Sequence, residues 1–518
     1  MLISDIVRRN ARFFGDKDAV VVPGGATRTW AELDARTDRF AAALTRLGLA
    51  KGERIAIYAP NCGEYVEFFF AAAKSGVIGA ATNVRLSAHE VASYLSYVEP
   101  SAVLVHAELA AAASGWLPQV PSVKHVIGFG GDHGCELDLE QLIAAAPAQA
   151  PAVDIREDDI YQLGATSGTT GIPKGAILTH RNAISAMLNW AAELPIPECG
   201  TALQCIPLFF NPGGPAGLHP VLLKGGRTVV PPAFDPVAFP RLVEEYRVSN
   251  TIIVPTMVQM VVSQPGVEHY DLSSLRGIIS GGSSYVLGVL KRAREVLGDV
   301  MFPLYGMAES YSCGAILRPE DQFTEGTPEQ VGRLSSVGKP LVLNELRVVA
   351  PDGTDVPHDG TTSGEIWLSG PSMSPGYYRM PDETERSRAG EWFKTGDVAV
   401  IDREGFITIV DRLKDMIITG GINVFSIEVE RAVNAHPDVE QCAVIGVPHE
   451  RWGEAIHAVI RRRAGSTLTE EEILAFAAER LAGYKKPRSA EFVAELPISA
   501  TGKILKKELR AARHAVPG

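Results

Sequence analysis

The sequence predicts an α/β protein with a large N-terminal domain of doubly wound sheets, a small β subdomain and a small α+β C-terminal domain. Its 518 residues are too many for one ordinary hydrophobic core, so two or more domains are expected. Strand and helix patterns alternate along most of the chain, which is typical of mostly parallel sheets. From about Val331 the pattern changes to short strands separated by Gly, Pro and Asp.

Composition restricts the class of protein. Hydrophobic residues make up 46% and charged residues 21% of the chain, as in a soluble globular protein. The net charge of −12 argues against a broad nucleic-acid surface. Six scattered cysteines without a C-x-x-C pair fit a reducing compartment, and we find no signal-peptide core and no apolar run long enough to span a bilayer. We therefore expect a cytoplasmic protein without a transmembrane segment, and the oligomeric state stays open, with a homodimer among the options.

The elements can be predicted in order. A capping box, Thr29 with Glu32, starts a helix that ends at Gly48. Further strands are predicted at 54–59, 102–105, 160–163, 176–178, 202–206, 227–230, 251–254, 275–279 and 300–304, with helices at 64–74, 182–193 and 236–246. Several of these strands end in loops rich in glycine or aromatic residues. Ligands bind beyond the carboxyl ends of strands in open α/β sheets, so we expect a cleft there.

The C-terminal part has a different pattern. Short strands at 345–349, 365–368 and 406–410 predict a β-rich subdomain over residues 331–411. We place the main boundary after Asp411, which gives domains 1–411 and 412–518. In the second, Ser426 is expected to cap a helix over 427–434, Thr469 with Glu472 forms another capping box, and a basic helix covers 504–513. Strands are predicted at 442–446 and 455–462.

One loop is unusual in composition. Residues 166–175 hold three glycines, four hydroxyl side chains and one lysine between two predicted strands. Glycines let successive N–H groups face one point, and hydroxyls and Lys174 add donors, so these parts suit a polyphosphate. It is not a G-x-x-x-x-G-K-[ST] loop. The alternative is a glycine-rich hairpin turn.

This loop resembles, almost letter for letter, the phosphate loop of the adenylate-forming superfamily, which comprises acyl-CoA synthetases, peptide-synthetase adenylation domains and luciferases. Four later segments are similar to family motifs and follow in the family's order: Tyr305–Ser310, Trp392–Asp397, 411–430 and Pro497–Lys503. The chain departs from the pattern at Ala308, where most relatives have threonine, and at Ser426, where proline is usual. The resemblance covers nearly the whole chain and is greatest to fatty-acid or aryl-acid CoA ligases.

The resemblance implies a set of nucleotide contacts. Glu309 is implied to hold Mg²⁺, because a carboxylate beside a triphosphate needs a cation between them. Asp397 is implied to accept hydrogen bonds from a ribose diol, and Arg412 is implied to reach the same sugar. The catalytic residues implied are Lys503, Glu309 and Lys174. The implied ATP or AMP contacts are Thr166, Ser167, Gly168, Thr169, Thr170, Gly171, Lys174, Gly281, Gly282, Ser283, Tyr305, Gly306, Met307, Ala308, Asp397 and Arg412.

The resemblance also implies a mobile C-terminal domain. Lys414 corresponds to the pivot between two orientations of that domain, although an ordinary solvated linker would have the same composition. Gly420, Gly421 and Asn423 are implied to approach the pantetheine arm of coenzyme A. Lys503 is implied to offset charge as the carboxylate meets the α-phosphate of ATP.

These features predict an ATP-dependent carboxylate–CoA ligase that works through acyl-AMP and releases AMP and pyrophosphate. One alternative is a stand-alone adenylation enzyme that loads a carrier-protein thiol, and another is a nucleotide-binding relative with weak chemistry, suggested by Ala308. The expected partners are a small carboxylic acid, ATP, Mg²⁺ and coenzyme A, without nucleic acid. The expected acyl pocket is apolar, which favours a fatty or aryl acid, although single aromatic residues are more often core. Its predicted members are Trp190, Phe209, Phe210, Asn211, Val254, Gly281, Gly306 and Met307.

Overall fold

The computed structural model describes residues 1–165, 174–210, 217–281, 287–420, 422–498 and 504–514. The chain divides into two compact units. The first comprises Met1–Leu346 and Leu368–Phe393, and the second comprises Arg347–Trp367 and Lys394–Gly518. The domain boundary expected after Asp411 stays a prediction.

One sheet of the first unit has the strand order β7-β6-β5-β3-β4-β8-β9. All neighbours are parallel except β8 and β9, which flank the glycine-rich loop and pair antiparallel. The predicted alternation of strands and helices is confirmed here. The strands are β3 Arg54–Tyr58, β4 Ile78–Ala81, β5 Ala102–His106, β6 His125–Phe129, β7 Leu137–Asp138, β8 Ile160–Ala165 and β9 Gly175–Thr179.

The other sheet of this unit has the order β16-β15-β14-β13-β12-β10-β11-β1-β2. Its inner strands from β14 to β1 are parallel, and antiparallel pairs finish both edges. The strands are β1 Asp18–Val21, β2 Thr27–Thr29, β10 Thr201–Leu203, β11 Arg227–Val229, β12 Asn250–Ile252, β13 Gly277–Gly281, β14 Met301–Tyr305, β15 Ala315–Ile316 and β16 Lys339–Pro340.

Helices cover these sheets. The predicted capping box is present: Thr29 Oγ1 accepts from the Glu32 N–H, and the Glu32 side chain accepts from the Thr29 N–H. α3 is buried along nearly its whole length, with Phe68, Phe69 and Phe70 in the core. Its buried Lys74 is paired with Asp34 and Asp38. The helices are α1 Ile3–Phe14, α2 Trp30–Arg46, α3 Gly63–Ser75, α4 Ala88–Val98, α5 Ala110–Ala113, α6 Leu139–Ala145, α7 His180–Glu193, α8 Gly217–Leu223, α9 Ala238–Tyr246, α10 Pro255–Val262, α11 Leu287–Leu297, α12 Pro328–Gly332 and α13 Pro381–Arg386.

Two further sheets follow. In one, the order is β17-β18-β20-β19, and β21 pairs with β20. In the other, the order is β23-β22-β25-β24, and β26 pairs with β25. The first set comprises β17 Glu345–Val349, β18 Gly364–Ser369, β19 Arg388–Ala389, β20 Trp392–Ile401 and β21 Ile407–Arg412. The second comprises β22 Ile417–Thr419, β23 Ile422–Val424, β24 Val439–His449, β25 Gly453–Arg462 and β26 Ser489–Phe492.

The helices of the second unit are α14 Ser426–Asn434, α15 Glu470–Ala478 and α16 Lys506–His514. The capping box of Thr469 with Glu472 is confirmed. The prediction that Ser426 caps α14 is wrong. Phe425 is the N-cap and Ser426 is the first helical residue. The Ser426 hydroxyl donates to Asp411 and accepts from Lys506, so it does not accept from an N–H of the first helical turn. In the described ranges, no helix has the length and apolar character needed to cross a membrane.

Candidate active site

The carboxyl ends of two parallel neighbours, β13 and β14, lead into the predicted nucleotide-binding segments. Gly281, the last residue of β13, lies opposite Leu304 of β14, and Tyr305 follows. Gly306 then passes so close to the next loop that an added Cβ would lie 2.2 Å from the Ser312 carbonyl oxygen. This position therefore requires glycine.

Glu309 is held in a buried position. Glu309 is only 6% exposed. The Tyr377 hydroxyl donates to Oε1 at 2.6 Å, and the Ser374 N–H donates to the Glu309 carbonyl oxygen at 2.6 Å. Burial and the neighbouring Glu309 charge raise the pKa of Tyr377, so the phenol stays protonated and acts as the donor.

Lys174, the single charged residue in the sequence of the glycine-rich segment, reaches the same tyrosine. Its ammonium lies 5.2 Å from the centroid of the Tyr377 ring and forms an ion pair with Glu383. Hydrogen bonds from Lys174 and Arg386 lower the pKa of Glu383. Two residues from separate motifs, Lys174 and Glu309, therefore meet at one aromatic side chain.

The loop after Glu309 is conformationally constrained. Tyr311 and Ser312 both have left-handed backbones, with φ of 51° and 61°. Such conformations cost about 1 kcal/mol or more for residues other than glycine, so the surroundings must hold them. Trp190 supplies part of that support, because its indole N–H donates to the Tyr311 carbonyl oxygen at 3.4 Å. Trp190 is 1% exposed and lies in the same hydrophobic cluster as Phe209, and its assignment to the acyl pocket stays a prediction.

Some of the other predicted acyl-pocket residues do lie together. Phe209 and Phe210 pack with their ring centroids 4.6 Å apart. They belong to the same hydrophobic cluster as Val254 and Leu304, and Phe210 and Val254 are only partly buried. Gly281, Gly306 and Met307 are partly exposed at the ends of β13 and β14.

In the second unit, the predicted ribose-binding pair is brought together. Asp397 on β20 faces Arg412 on β21 in the antiparallel register, and Arg412 Nε lies 3.0 Å from Asp397 Oδ1. The Asp397 N–H donates to Thr395 Oγ1 at 3.1 Å, and the Gly396 N–H donates to Glu365 Oε1 at 2.9 Å. The turn that presents Asp397 is therefore fixed by its own hydrogen bonds.

The predicted hinge residue, Lys414, and the predicted coenzyme A segment, which begins at Gly420, follow Arg412 closely in the sequence. Lys414 is exposed and lies between Asp411 and Asp415 in the sequence. Asp411 accepts from the Ser426 hydroxyl. Asp415 pairs with Arg510 on α16 at 2.8 Å. The Gly420 N–H donates to the Trp452 carbonyl oxygen at 2.8 Å. The guanidinium carbons of Arg451 and Arg488 lie 4.7 and 5.8 Å from the centroid of a Trp452 ring.

Sequence reasoning missed Tyr377, Glu383 and Trp452. A Gly376–Tyr377 pair followed by Pro381 and Glu383 was the available signal, because a glycine before an aromatic often marks close backbone packing. An added Cβ at Gly376, whose φ is +151°, would lie 2.3 Å from Thr384 Cγ2. Several predicted residues lie outside the described ranges: Thr166, Ser167, Gly168, Thr169, Thr170, Gly171, Asn211, Gly282, Ser283, Gly421, Lys503 and the side chain of Asn423.

The described residues fit a magnesium ion only when it is shared with a nucleotide. No group of three or more His, Cys, Asp or Glu side chains in those ranges is arranged to hold a metal by itself. Mg²⁺ commonly binds through one or two carboxylates, several waters and substrate phosphates. The buried carboxylate of Glu309 is compatible with that arrangement.

Comparisons with known proteins agree with this geometry. A family model described as AMP-binding enzyme matches residues 7–378, and one described as AMP-binding enzyme C-terminal domain matches residues 428–503. The chain is 38% identical over 491 residues to feruloyl-CoA synthase of an Amycolatopsis species, covering 94% of both chains. It is 32% identical over 515 residues to the long-chain-fatty-acid–CoA ligase FadD13 of Mycobacterium tuberculosis, covering 98% of this chain and 97% of that protein. The crystal structure of ATP-bound MatB from Rhodopseudomonas palustris superposes with a TM-score of 0.88 at 28% identity and covers 99% of each chain.

Proposed function

The chain belongs to the AMP-binding enzyme family, and we propose that it joins a hydrophobic monocarboxylic acid, preferably an aryl acid, to coenzyme A. In the first half-reaction a carboxylate oxygen attacks the α-phosphorus of ATP and pyrophosphate leaves, which gives acyl-AMP. In the second, the coenzyme A thiol attacks the acyl carbon and AMP leaves. The meeting of Lys174 and Glu309 at Tyr377 is the observation that carries the proposal, because it assembles one cation and one carboxylate from separate motifs.

Different residues of the chain have different roles in the first half-reaction. Lys174 binds phosphate oxygens, Asp397 and Arg412 orient the ribose, and Lys503 stabilises the charge that develops at the α-phosphate. Glu309 would hold Mg²⁺, which offsets the negative charge of the triphosphate when bound. The similarity to acid–CoA ligases and to an ATP-bound structure supports these roles.

The surroundings of Gly420 support coenzyme A as the acyl acceptor. Trp452 presents an aromatic ring beside two guanidinium groups, Arg451 and Arg488. An aromatic ring with nearby cations suits a phosphorylated purine, which stacks on the ring and pairs with the charges. We therefore add Trp452 to the predicted acceptor site with Gly420, Gly421 and Asn423.

The acid is inferred from the apolar cluster and from relatives. Phe209, Phe210 and Val254 offer hydrocarbon and aromatic surface, and no lysine or arginine is among the predicted pocket residues. A second carboxylate buried there without a partner would cost several kcal/mol. Similarity to feruloyl-CoA synthase supports an aryl acid over an aliphatic one.

The test is AMP release by the purified chain with ATP, Mg²⁺ and coenzyme A. Ferulate, a medium-chain fatty acid and malonate are compared singly and in equimolar competition. We expect AMP release that depends on coenzyme A, with ferulate used best and malonate disfavoured by about 10²-fold or more, since each 1.4 kcal/mol is a factor of ten. Preference for malonate would refute the apolar pocket. Acyl-AMP formation without transfer to coenzyme A would favour a carrier-protein thiol as the acceptor.

A further inference from the structure

We infer that Tyr377 is a positioning residue that sets the geometry of Glu309 and Lys174 together. The hydroxyl orients the carboxylate, and the ring holds the ammonium without neutralising it. The inference rests on the proposed function, because it assumes that these two groups meet the metal-bound nucleotide. It concerns a residue of the 374–384 segment that none of the predicted motifs contains.

The contact with Glu309 fixes the carboxylate. An ionised carboxylate only accepts hydrogen bonds, so the phenol must donate, and the 2.6 Å distance to Oε1 is that of a strong charge-assisted bond. The bond is buried, which strengthens it and limits exchange with water. One oxygen of Glu309 therefore has a set direction, which limits how the carboxylate can turn toward a cation.

The contact with Lys174 is of another kind. The ammonium lies 5.2 Å from the ring centroid, within the range of a cation–π interaction. The Glu383 carboxylate also pairs with this ammonium, but a carboxylate cancels its charge, whereas an aromatic face does not. When a phosphate replaces Glu383 as partner, the ring can keep Lys174 beside Glu309 with its charge available.

The position of Tyr377 does not depend on either partner. Its segment runs alongside β9: the Ile177 N–H donates to the Gly376 carbonyl oxygen at 2.9 Å, and the Tyr378 N–H donates to the Gly175 carbonyl oxygen at 2.9 Å. The Tyr377 N–H also donates to Thr384 Oγ1 at 2.9 Å. Main-chain bonds therefore place the ring next to the strand that follows Lys174, and this preorganises both contacts.

The test separates the hydroxyl from the ring. Tyr377→Phe removes only the hydroxyl, and Tyr377→Leu removes both functions. The control is Tyr378→Phe, which deletes the neighbouring hydroxyl. Binding of α,β-methylene-ATP is measured by calorimetry with and without Mg²⁺, together with the Mg²⁺ dependence of pyrophosphate exchange and the melting temperature.

For Tyr377→Phe we expect about a tenfold higher Mg²⁺ concentration for half-maximal binding of the analogue, the size of one hydrogen bond to a charged group, with metal-free binding unchanged. Tyr377→Leu should also weaken metal-free binding, because Lys174 loses the ring. Tyr378→Phe should match the wild type. In a Glu309→Gln background, Tyr377→Phe should no longer change the Mg²⁺ dependence, and this cycle is informative even if one variant is less stable.

Two results would overturn the inference. One is a half-maximal Mg²⁺ concentration within twofold of wild type in Tyr377→Phe. The other is an equal loss of analogue binding with and without Mg²⁺ in Tyr377→Phe, which would show that Tyr377 only supports packing. A wild-type chain that fails to bind the analogue would instead refute the proposed function and the inference with it. Normal AMP release with normal metal dependence in Tyr377→Phe would refute the inference alone.

Discussion

Each compact unit contains a cluster of one lysine, two carboxylates and one hydroxyl side chain. We call the set in the first unit the Tyr377 cluster: Lys174, Glu309, Tyr377 and Glu383. We call the set in the second unit the Ser426 cluster: Asp411, Ser426, Glu430 and Lys506. The residue types are nearly the same, so residue type alone does not separate a ligand site from a structural network.

The two clusters differ in the partners of their lysine. In the Ser426 cluster, Lys506 Nζ donates to Ser426 Oγ at 2.7 Å and lies 2.7 Å from Glu430 Oε1, which also accepts from the Val444 N–H. Burial raises the pKa of both Asp411 and Glu430. The cluster is closed by its own bonds. In the described part of the chain, the partners of Lys174 are one carboxylate and one ring face, so a phosphate can replace the carboxylate.

The largest expected effect comes from replacing one glutamate of each cluster with glutamine. Glu309→Gln should lower pyrophosphate exchange by about 10²- to 10³-fold, the usual loss of one electrostatic contact in a reaction site, with little change in stability. Glu430→Gln should leave exchange by the folded chain nearly unchanged and lower the free energy of unfolding by about 3 kcal/mol, because it breaks an ion pair whose side chains are only 12% and 15% exposed. Pyrophosphate exchange and urea denaturation measure the two effects. A loss of stability with normal exchange in Glu309→Gln, or a loss of exchange with normal stability in Glu430→Gln, would contradict this distinction between the clusters.

The difference between the clusters also shows the reach of sequence reasoning. The capping boxes at Thr29 and Thr469 were predictable because their partners are three residues away. The Tyr377 contact was not, since its partner Glu309 is 68 residues distant and only the fold brings them together. The cap assigned to Ser426 failed for the same reason, since its hydroxyl donates to Asp411, 15 residues away, and accepts from Lys506, 80 residues away. The fold class was predictable because it depends on patterns repeated along the chain.

The next effect concerns Lys414, which lies between Asp411 and Asp415. Lys414→Pro restricts the backbone at the proposed pivot, so we expect acyl-AMP formation to persist and transfer to coenzyme A to fall by about 10²-fold, the cost of a misplaced reacting group. Each half-reaction is followed separately, the second with supplied acyl-AMP. Lys414→Ala, which keeps backbone freedom, is the matched control. Wild-type rates in both half-reactions for Lys414→Pro would show that this residue is only a linker.

A smaller effect should appear in the pH dependence of stability. Burial lowers the pKa of His180 in the first unit, and of His457 in the second, to about 4. The unfolded chain binds these protons near pH 6.5 and the folded chain does not, so stability falls as the pH drops from 6.5 toward 4. For His180 this loss is about 2 kcal/mol at pH 5. The Ile3 N–H donates to His180 Nδ1 at 3.2 Å, which fixes the neutral form.

Urea denaturation at pH 7.5 and pH 5 tests this dependence. His180→Asn keeps an acceptor for the Ile3 N–H and should remove most of the acid loss assigned to His180. The exposed His89 on α4 supplies the matched control, His89→Asn, which should follow the wild type. If the free energy of unfolding of His180→Asn falls between pH 7.5 and pH 5 as much as that of the wild type, other groups cause the acid sensitivity.

The smallest expected effect tests whether the Ser426 cluster compensates for a missing proline. Ser426 is the first residue of α14, a position where proline is well tolerated because its N–H needs no helical partner. Here that N–H donates to Asp411, and the hydroxyl both donates to Asp411 at 3.0 Å and accepts from Lys506. Ser426→Ala keeps the N–H and loses the hydroxyl bonds, so the free energy of unfolding should fall by about 1 kcal/mol.

Ser426→Pro removes the N–H as well and recovers about 0.4–1 kcal/mol from its fixed φ, which is less than a hydrogen bond to a buried carboxylate contributes. We therefore expect the order of stability wild type, then Ser426→Ala, then Ser426→Pro in urea denaturation, with pyrophosphate exchange near wild type in both variants. If Ser426→Pro equals or exceeds the wild type in stability, the buried bonds to Asp411 contribute nothing net. Because Asp411 directly precedes Arg412, a loss of exchange in Ser426→Pro alone would show instead that the Ser426 cluster positions the proposed ribose contact.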